Sequence, residues 1–193
     1  MGTRRAILEA AAEEFGAHGF EDARVRRIAA AAGVSHHLIT YYFGGKQGLY
    51  EAITEQWMDT SLPDPDEDVP VAERMRRYVH QAWEDPSWSQ MLVRERPGSS
   101  PPGEDGRAAE LLKSVEELRR RQARGEIRGD LDVGMVALAF FAATIAPRSL
   151  FWIAREMTQR DPASREFADD YADQIARIFA ALAEPPATTD PGD

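Results

Sequence analysis

The sequence predicts an all-α protein of about nine helices, and three observations carry this prediction. Apolar residues recur every three or four positions along most of the 193 residues, which is the spacing of one face of an α-helix. No segment shows the sustained alternation of apolar and polar residues that is typical of a half-buried β-strand. Hydrophobic residues make up 43% of the chain, which is enough to fill a substantial core.

Composition and charge narrow the class of protein further. The chain contains no cysteine, so disulfides, thiolate metal sites and cysteine nucleophiles are excluded, and we expect a reducing, cytoplasmic compartment. The first residues begin a polar amphipathic helix instead of a secretion signal. The net charge of −10 argues against nucleic acid as a partner, but the charge is uneven. Residues 1–46 carry six basic and five acidic side chains, whereas the remainder carries 17 and 28, so the N-terminal part stays compatible with DNA.

The first helix is predicted to begin with Thr3 as its N-cap and to end within residues 16–19, which include two glycines. Its apolar stripe runs from Ile7 to Phe15, and Phe20 then returns to the same small core. We expect this helix to brace the two helices that follow.

A helix-turn-helix pattern comes next. Apolar residues at helical spacing between Val25 and Ala32 predict a short helix, and Gly33 supplies the left-handed residue that ends it. Ser35 then offers a hydroxyl N-cap to another helix. Two short helices joined by a three-residue turn that contains glycine form a helix-turn-helix, and Ala29 is small where the two must cross.

Many fixed spacings in the first 50 residues agree with one known pattern. The residues concerned are Phe15, Gly19, Phe20, Ile28, Ala29, Ala32, Gly33, Val34, Ser35, Tyr42, Phe43, Lys46 and Leu49. Together they resemble the DNA-binding domain of the tetracycline-repressor-like (TetR/AcrR) family of bacterial regulators. The resemblance implies an N-terminal three-helix DNA-binding domain, a C-terminal helical domain with an effector pocket, and dimerisation through the last two long helices.

One departure from the family and one alternative remain. The family usually has a hydroxyl residue before the second helix, where this sequence has Ala23 and Arg24, and Asp22 is the nearest candidate for that cap. Helix-turn-helix spacing also occurs in helical bundles that bind no DNA, but the continuation from Phe43 to Lys46 favours the DNA-binding interpretation.

On this interpretation the protein binds double-stranded operator DNA as a dimer, with its two DNA-binding domains in successive major grooves. Residues expected to touch phosphates are Arg24, Arg26, Tyr41, Tyr42 and Lys46. Residues expected to touch base edges are Ser35, His36, His37 and Thr40. The predicted recognition helix holds no arginine or lysine, which argues against strong guanine recognition from that helix itself.

The rest of the chain predicts the helical body. Helical stripes lie at about 48–58, 71–85, 88–95, 111–122, 131–154 and 163–183. Residues 61–70 and 97–106 break the periodicity and predict loops. The spacing of Asp64, Asp66 and Asp68 does not complete a calcium loop, because Met75 stands where a bidentate glutamate is needed. The predicted domains are the DNA-binding domain at 1–47, the effector-binding and dimerisation domain at 48–183, and a disordered tail at 184–193.

The most apolar stretch, residues 131–154, predicts a subunit seam instead of a membrane span. Spanning a bilayer takes about 20 apolar residues, and Pro147 interrupts the stretch too early. Apolar spacing that alternates four and three, here and in the last helix, suits a four-helix packing between two copies of the chain. The predicted seam residues are Leu131, Met135, Leu138, Ile145, Trp152, Tyr171, Ile175, Ile178 and Leu182. The alternative is that both stripes only close the core of one chain.

An apolar effector pocket is expected in the helical body. Its candidate lining residues are Trp57, Trp83, Trp88, Met91, Phe140 and Thr144, and core packing is the alternative role for each of them.

No cofactor or metal is predicted, because adjacent His36 and His37 lack the spacing of a metal pair and no hydrolase motif is present. We therefore predict a homodimeric regulator, most simply a repressor that a small apolar effector releases from its operator. The alternative is a small-molecule-binding protein or an enzyme that uses the same pocket.

Overall fold

The computed structural model describes residues 2–61, 69–95 and 102–183, and every regular element in these ranges is helical. The elements are α1 (Thr3–Asp22), α2 (Val25–Ala31), α3 (His36–Phe43), α4 (Lys46–Ser61), α5 (Val71–Glu84), α6 (Ser87–Val93), α7 (Glu104–Ala123), α8 (Val133–Ser149), α9 (Phe151–Thr158), α10 (Arg165–Ala180) and a short 3-10 helix (Ala181–Ala183). The all-α prediction is confirmed, with ten α-helices in the described ranges where about nine were expected. The acidic positions Asp64, Asp66 and Asp68 and the predicted tail at 184–193 lie outside these ranges.

The described residues fall into two compact units. The first unit takes residues up to 62 together with 84–110, and its core joins α1, α2, α3, α4 and α6. The second unit takes residues 63–83 and those from 111 onward, and its core joins α5, α7, α8 and α10. These two units reflect which helices pack together. The boundary after residue 47 between a DNA-binding domain and an effector-binding domain stays a prediction.

The core of the first unit is aromatic and aliphatic. Its innermost side chains, which are completely buried, are Ile7, Phe15, Ile28, Ile39 and Leu49. Each such burial contributes roughly 1.5–3 kcal/mol relative to exposure. The ring of Tyr50 meets Phe15 edge-on at 5.1 Å between centroids, so α4 is packed directly against α1.

The N-terminus of α1 differs from the prediction. Its C-terminal part continues to Asp22 beyond a break in the helix. Thr3 is the first helical residue and not the cap; the N-cap is Gly2, which offers no side-chain hydrogen bond. The helix is broken at Gly19, whose φ of 72° and ψ of 171° lie in a region that only glycine adopts easily. This break lets Phe20 turn back onto Phe15, with 6.0 Å between ring centroids, as the sequence predicts.

Two later helices correct predictions. α7 begins at Glu104, inside the predicted loop at 97–106. α8 ends at Ser149, and a bend of 89° separates it from α9. The predicted continuous stripe from Leu131 to Trp152 is therefore wrong, because Leu131 precedes α8 and Trp152 belongs to α9. Pro147 is accommodated within the last turn of α8, and the break falls after it, at Leu150.

Two features are absent from the described ranges. No single helix there is long and apolar enough to cross a membrane, although the bent pair α8 and α9 passes the length and composition criteria when taken together. The same residues contain no group of three or more His, Asp or Glu side chains that could hold a metal ion.

A buried ion cluster lies in the second unit. Arg121 is 1% exposed, and its guanidinium donates to Glu117 at 2.9 Å and to Glu126 at 2.7 Å. It also donates to the Val69 carbonyl at 2.8 Å, which ties the start of the α5 segment to α7. Because a buried charge left without a partner is very unfavourable, we expect these contacts to contribute to the stability of the unit.

Candidate nucleic-acid interface

The turn between α2 and α3 has the predicted geometry. Gly33 follows α2 with φ of 66°, and the amide of Val34 donates to the Ala29 carbonyl at 2.9 Å. Ser35 is the N-cap of α3, because its Oγ accepts a hydrogen bond from the backbone N–H of His37 at 3.2 Å. Ala29 is buried at the crossing of the two helices. A small residue there and a left-handed glycine allow the tight turn.

The two faces of α3 differ sharply. Ile39 and Phe43 are buried in the core of the first unit. The outward residues predicted to read bases, Ser35, His36, His37 and Thr40, are all exposed. The His36 and His37 rings lie 4.0 Å apart between centroids. Tyr41 is 80% exposed and meets the ring of Tyr42, which is 45% exposed, edge-on at 5.2 Å. The structure therefore brings the base-reading candidates and both tyrosines onto one exposed helix.

The link from α3 to α4 is very short. Gly44 and Gly45 both have positive φ, at 72° and 115°, and α4 begins at the next residue. A Cβ atom on Gly48 would lie 1.9 Å from the Phe43 carbonyl oxygen, so only glycine fits this close approach of α4 to the end of α3.

The cap of α2 comes from a residue that sequence reasoning missed. Neither Asp22 nor the N-cap residue Arg24 supplies a side-chain cap. Instead, Oε1 of Glu14 on α1 accepts from the backbone N–H of Arg24 at 2.8 Å and from Nε of Arg27 at 2.7 Å. Burial acts to raise the pKa of Glu14, but the hydrogen bonds from Arg27 and Arg24 outweigh it and hold the pKa below its usual value. The prediction of Asp22 as the cap is wrong, because the carboxylate of Glu14 accepts the hydrogen bond at the start of α2.

The cations predicted to touch phosphates have different surroundings. Arg24 and Arg26 are exposed at the start of α2. Nζ of Lys46, in contrast, donates to the Glu21 carbonyl at 2.8 Å and lies 4.7 Å from the centroid of the Phe20 ring. The Lys46 ammonium therefore connects the start of α4 to the end of α1, a role that the sequence pattern did not indicate.

The six predicted pocket residues are divided between the two units. In the first unit, Trp57 stacks on Trp88 with 4.7 Å between ring centroids, and Met91 is buried in the same core. The indole N–H of Trp88 is buried without a hydrogen-bond partner in the described part of the chain. These three residues therefore pack together within one core.

The other three pocket candidates lie in the second unit and have partners of their own. Trp83 donates its indole N–H to the Pro162 carbonyl at 3.0 Å, and the Thr144 hydroxyl donates to a backbone carbonyl of its own helix at 2.8 Å. Phe140 meets the ring of Tyr78 edge-on at 5.2 Å, and burial raises the pKa of Tyr78 to about 12. All six residues take part in packing, and their role toward an effector stays a prediction.

The predicted seam residues also divide into two groups. Those that are 57–69% exposed are Met135, Leu138, Trp152 and Ile178. Those that are half-buried are Leu131, Ile145, Tyr171 and Leu182. Ile175 is buried in the core of the second unit, and the Tyr171 hydroxyl donates to the Ala143 carbonyl at 2.8 Å. Within one chain, Ile175 therefore fills the core, whereas the four exposed residues have no comparable packing.

Comparison with known proteins agrees with this architecture. Residues 7–53 match the model for bacterial regulatory proteins of the tetR family. The chain is 33% identical over 155 residues to the HTH-type transcriptional repressor SCO4008 of Streptomyces coelicolor, a match that covers 74% of this chain and 79% of that protein. The fatty acid degradation regulator FadR from Bacillus halodurans has a similar fold, with a TM-score of 0.64 at 17% identity over 91% of this chain and 97% of that one. AibR, solved in complex with isovaleryl coenzyme A and operator DNA, gives a TM-score of 0.65 at 21% identity over 92% and 97%. The helix-turn-helix geometry and these similarities together show that the chain belongs to the TetR family of bacterial transcriptional regulators.

Proposed function

We propose that the protein is a homodimeric repressor that binds operator DNA through α3 and responds to a small-molecule effector. The observation that supports this most directly is the outward face of α3, where polar and aromatic side chains are exposed while Ile39 and Phe43 anchor the helix in the core. A helix presented in this way can enter the major groove. The family consists of transcriptional regulators, so the enzyme alternative is not retained.

Base edges would be read from the N-terminal half of α3. The Ser35 oxygen is engaged as an acceptor by the His37 amide, but its hydroxyl proton is free to donate to a base. His36, His37 and Thr40 add donors and acceptors on the same face. With no arginine or lysine in α3, any bidentate guanine contact falls to Arg24 or Arg26 at the start of α2.

The homodimer is supported by the four exposed seam residues of the second unit. Contiguous exposed apolar surface is typical of an interaction site, and Met135 and Leu138 lie three residues apart on one exposed face of α8. A two-fold dimer would also place two copies of α3 at half-sites about one helical turn of DNA apart. We place this dimer in the cytoplasm, where DNA is accessible.

An effector changes DNA binding only if it has different affinities for the conformation that binds DNA and the conformation that does not. A coupling free energy of about 1–3 kcal/mol changes operator affinity roughly 5- to 150-fold. AibR shows that a protein of this fold is able to hold both a coenzyme A thioester and operator DNA. For this chain we propose a small apolar effector, with Trp57, Trp83, Trp88, Met91, Phe140 and Thr144 as candidates for its site.

Footprinting of the DNA upstream of the protein's own reading frame tests the proposal. We expect protection of two half-sites centred about one helical turn, or about 10 base pairs, apart. Tyr41→Ala should weaken that protection, whereas Leu112→Ala, which removes a comparably exposed side chain from α7, should not. Absence of salt-dependent binding to any duplex would contradict the proposal.

A further inference from the structure

The basic residues of the first 46 positions differ in the protein groups that they contact. Three have protein partners: Arg5 pairs with Glu9 at 2.7 Å, Arg27 with Glu14 at 2.6 Å, and Lys46 with the Glu21 carbonyl at 2.8 Å. The remaining three, Arg4, Arg24 and Arg26, are exposed, and no acidic residue in the described ranges pairs with them. Arg4 was not among the residues that the sequence pattern indicates for DNA.

Arg4 lies close to the predicted DNA-binding helix although it belongs to the first turn of α1. Its guanidinium carbon is 5.4 Å from the centroid of the ring of Phe43, the last residue of α3. The same Phe43 ring is 6.2 Å from the ring of Tyr42, whose hydroxyl is a phosphate candidate. The guanidinium is therefore held at the C-terminal end of α3, beside exposed side chains of the predicted interface.

This arrangement leaves the guanidinium able to bind an anion. A guanidinium placed over an aromatic ring is attracted by the ring face, while its N–H donors point outward from its own edge. Those donors match two oxygens of a phosphate in a bidentate contact. The ring also restricts the arginine before binding, which lowers the conformational entropy lost when the contact forms.

We infer that Arg4 contacts a backbone phosphate of bound DNA at the C-terminal end of α3. The inference rests on the proposed function and adds Arg4 to the phosphate-contacting cations Arg24, Arg26 and Lys46. Arg4 then holds the C-terminal end of α3 on the DNA while the arginines of α2 hold the other side of the helix-turn-helix.

A salt titration with a matched neighbour tests this assignment. Fluorescence anisotropy would follow binding to a random-sequence duplex of about 30 base pairs, long enough for two successive major grooves, between about 50 and 200 mM salt. We expect Arg4→Ala to reduce the slope of log affinity against log salt by about 0.9 for each DNA-binding domain that contacts the duplex. Arg5→Ala removes the same charge one residue away, where Glu9 already pairs with it, and should leave the slope nearly unchanged.

Two further variants separate charge from packing. Arg4→Lys keeps the charge and should retain the wild-type slope with weaker affinity, because the bidentate fork is lost. Lys46→Ala removes a charge that a neutral carbonyl leaves uncompensated, so it should lower both the slope and the thermal midpoint of unfolding. Equal slopes for Arg4→Ala and Arg5→Ala would overturn the inference. A wild-type protein without salt-dependent binding to the duplex would instead overturn the proposed function itself.

Discussion

The two units differ in the charged side chains that they bury and in the apolar side chains that they expose. The first unit has a core of aliphatic and aromatic residues from α1–α4 and α6, buries Arg107 beside Glu95, and presents a largely polar surface on α3. The second unit buries Arg74, Glu117 and Arg121, and it exposes Met135, Leu138, Trp152 and Ile178. Large apolar side chains in water favour association, whereas buried ions make a fold dependent on each partner. The contrast supports the proposal that the second unit presents the surface for another copy of the chain.

The largest expected effect comes from placing a charge on the exposed apolar surface. Leu138→Glu or Ile178→Glu would leave an unpaired carboxylate in the proposed seam, at a cost of several kcal/mol to association. Light scattering should then report monomers. Leu112→Glu is the matched control, since Leu112 is 67% exposed on α7 outside the proposed seam and should remain dimeric. A stable dimer in both seam variants would place the interface elsewhere.

Breaking the buried ion cluster should also have a large effect, now on folding. Arg121→Leu removes the guanidinium that Glu117 and Glu126 share and leaves them paired with Arg120 and Arg124, so we expect the free energy of unfolding to fall by about 3 kcal/mol. The exposed pair of Arg119 with Glu116 provides the control, because Arg119→Leu should cost no more than about 1 kcal/mol. Denaturant unfolding measures both. Equal losses in the two variants would show that burial does not decide the importance of these ion pairs.

A smaller effect is expected in the first unit at the link from α3 to α4. Gly48→Ala would bring a methyl group against the Phe43 carbonyl, and we expect a loss of about 1–3 kcal/mol in the free energy of unfolding. Gly106→Ala is the counterpart on α7, where a Cβ atom meets nothing within 4 Å, and should stabilise the helix by about 0.5–1 kcal/mol. Thermal unfolding should therefore move in opposite directions for the two substitutions.

The smallest effect concerns the cap of α2 and depends on pH. The pKa of Glu14 is lowered in the folded protein, so its stabilisation is present above the ordinary value of 4.5 and is lost as pH falls through the lower, folded pKa. At pH 7, Glu14→Gln should cost about 1 kcal/mol, and the difference from wild type should shrink as the pH drops below that range. Glu13→Gln, on an exposed neighbour, is the control and should cost less stability at pH 7. A constant gap from pH 7 to pH 3 would argue against the Glu14 carboxylate as the cause.

Local patterns were sufficient to predict the helix-turn-helix. Gly33 and Ser35 act on residues within three positions of themselves, and the all-α class follows from helical periodicity over the whole chain. The partners of Glu14 and Lys46 could not be predicted in this way. Glu14 caps a helix that begins ten residues later, and Lys46 contacts a carbonyl 25 residues earlier, so both contacts depend on how helices pack.

In the second unit the same periodicity led to an error at α8. The sequence places apolar residues at seam-like intervals beyond Ser149, but spacing alone does not reveal whether a helix continues in a straight line. The bend of 89° at Leu150 moves Trp152 onto α9. Ile175 shares a stripe with Ile178, yet one is buried and the other exposed, because the core covers only part of that face of α10.

The short link between α3 and α4 has a mechanical consequence. Only Gly44 and Gly45 separate the two helices, and the Phe43 carbonyl occupies the space beside Gly48. Because the link is only two residues long, the start of α4 cannot move far without carrying the end of α3 with it. A shift of α4 is therefore expected to change the orientation of the DNA-facing side chains of α3.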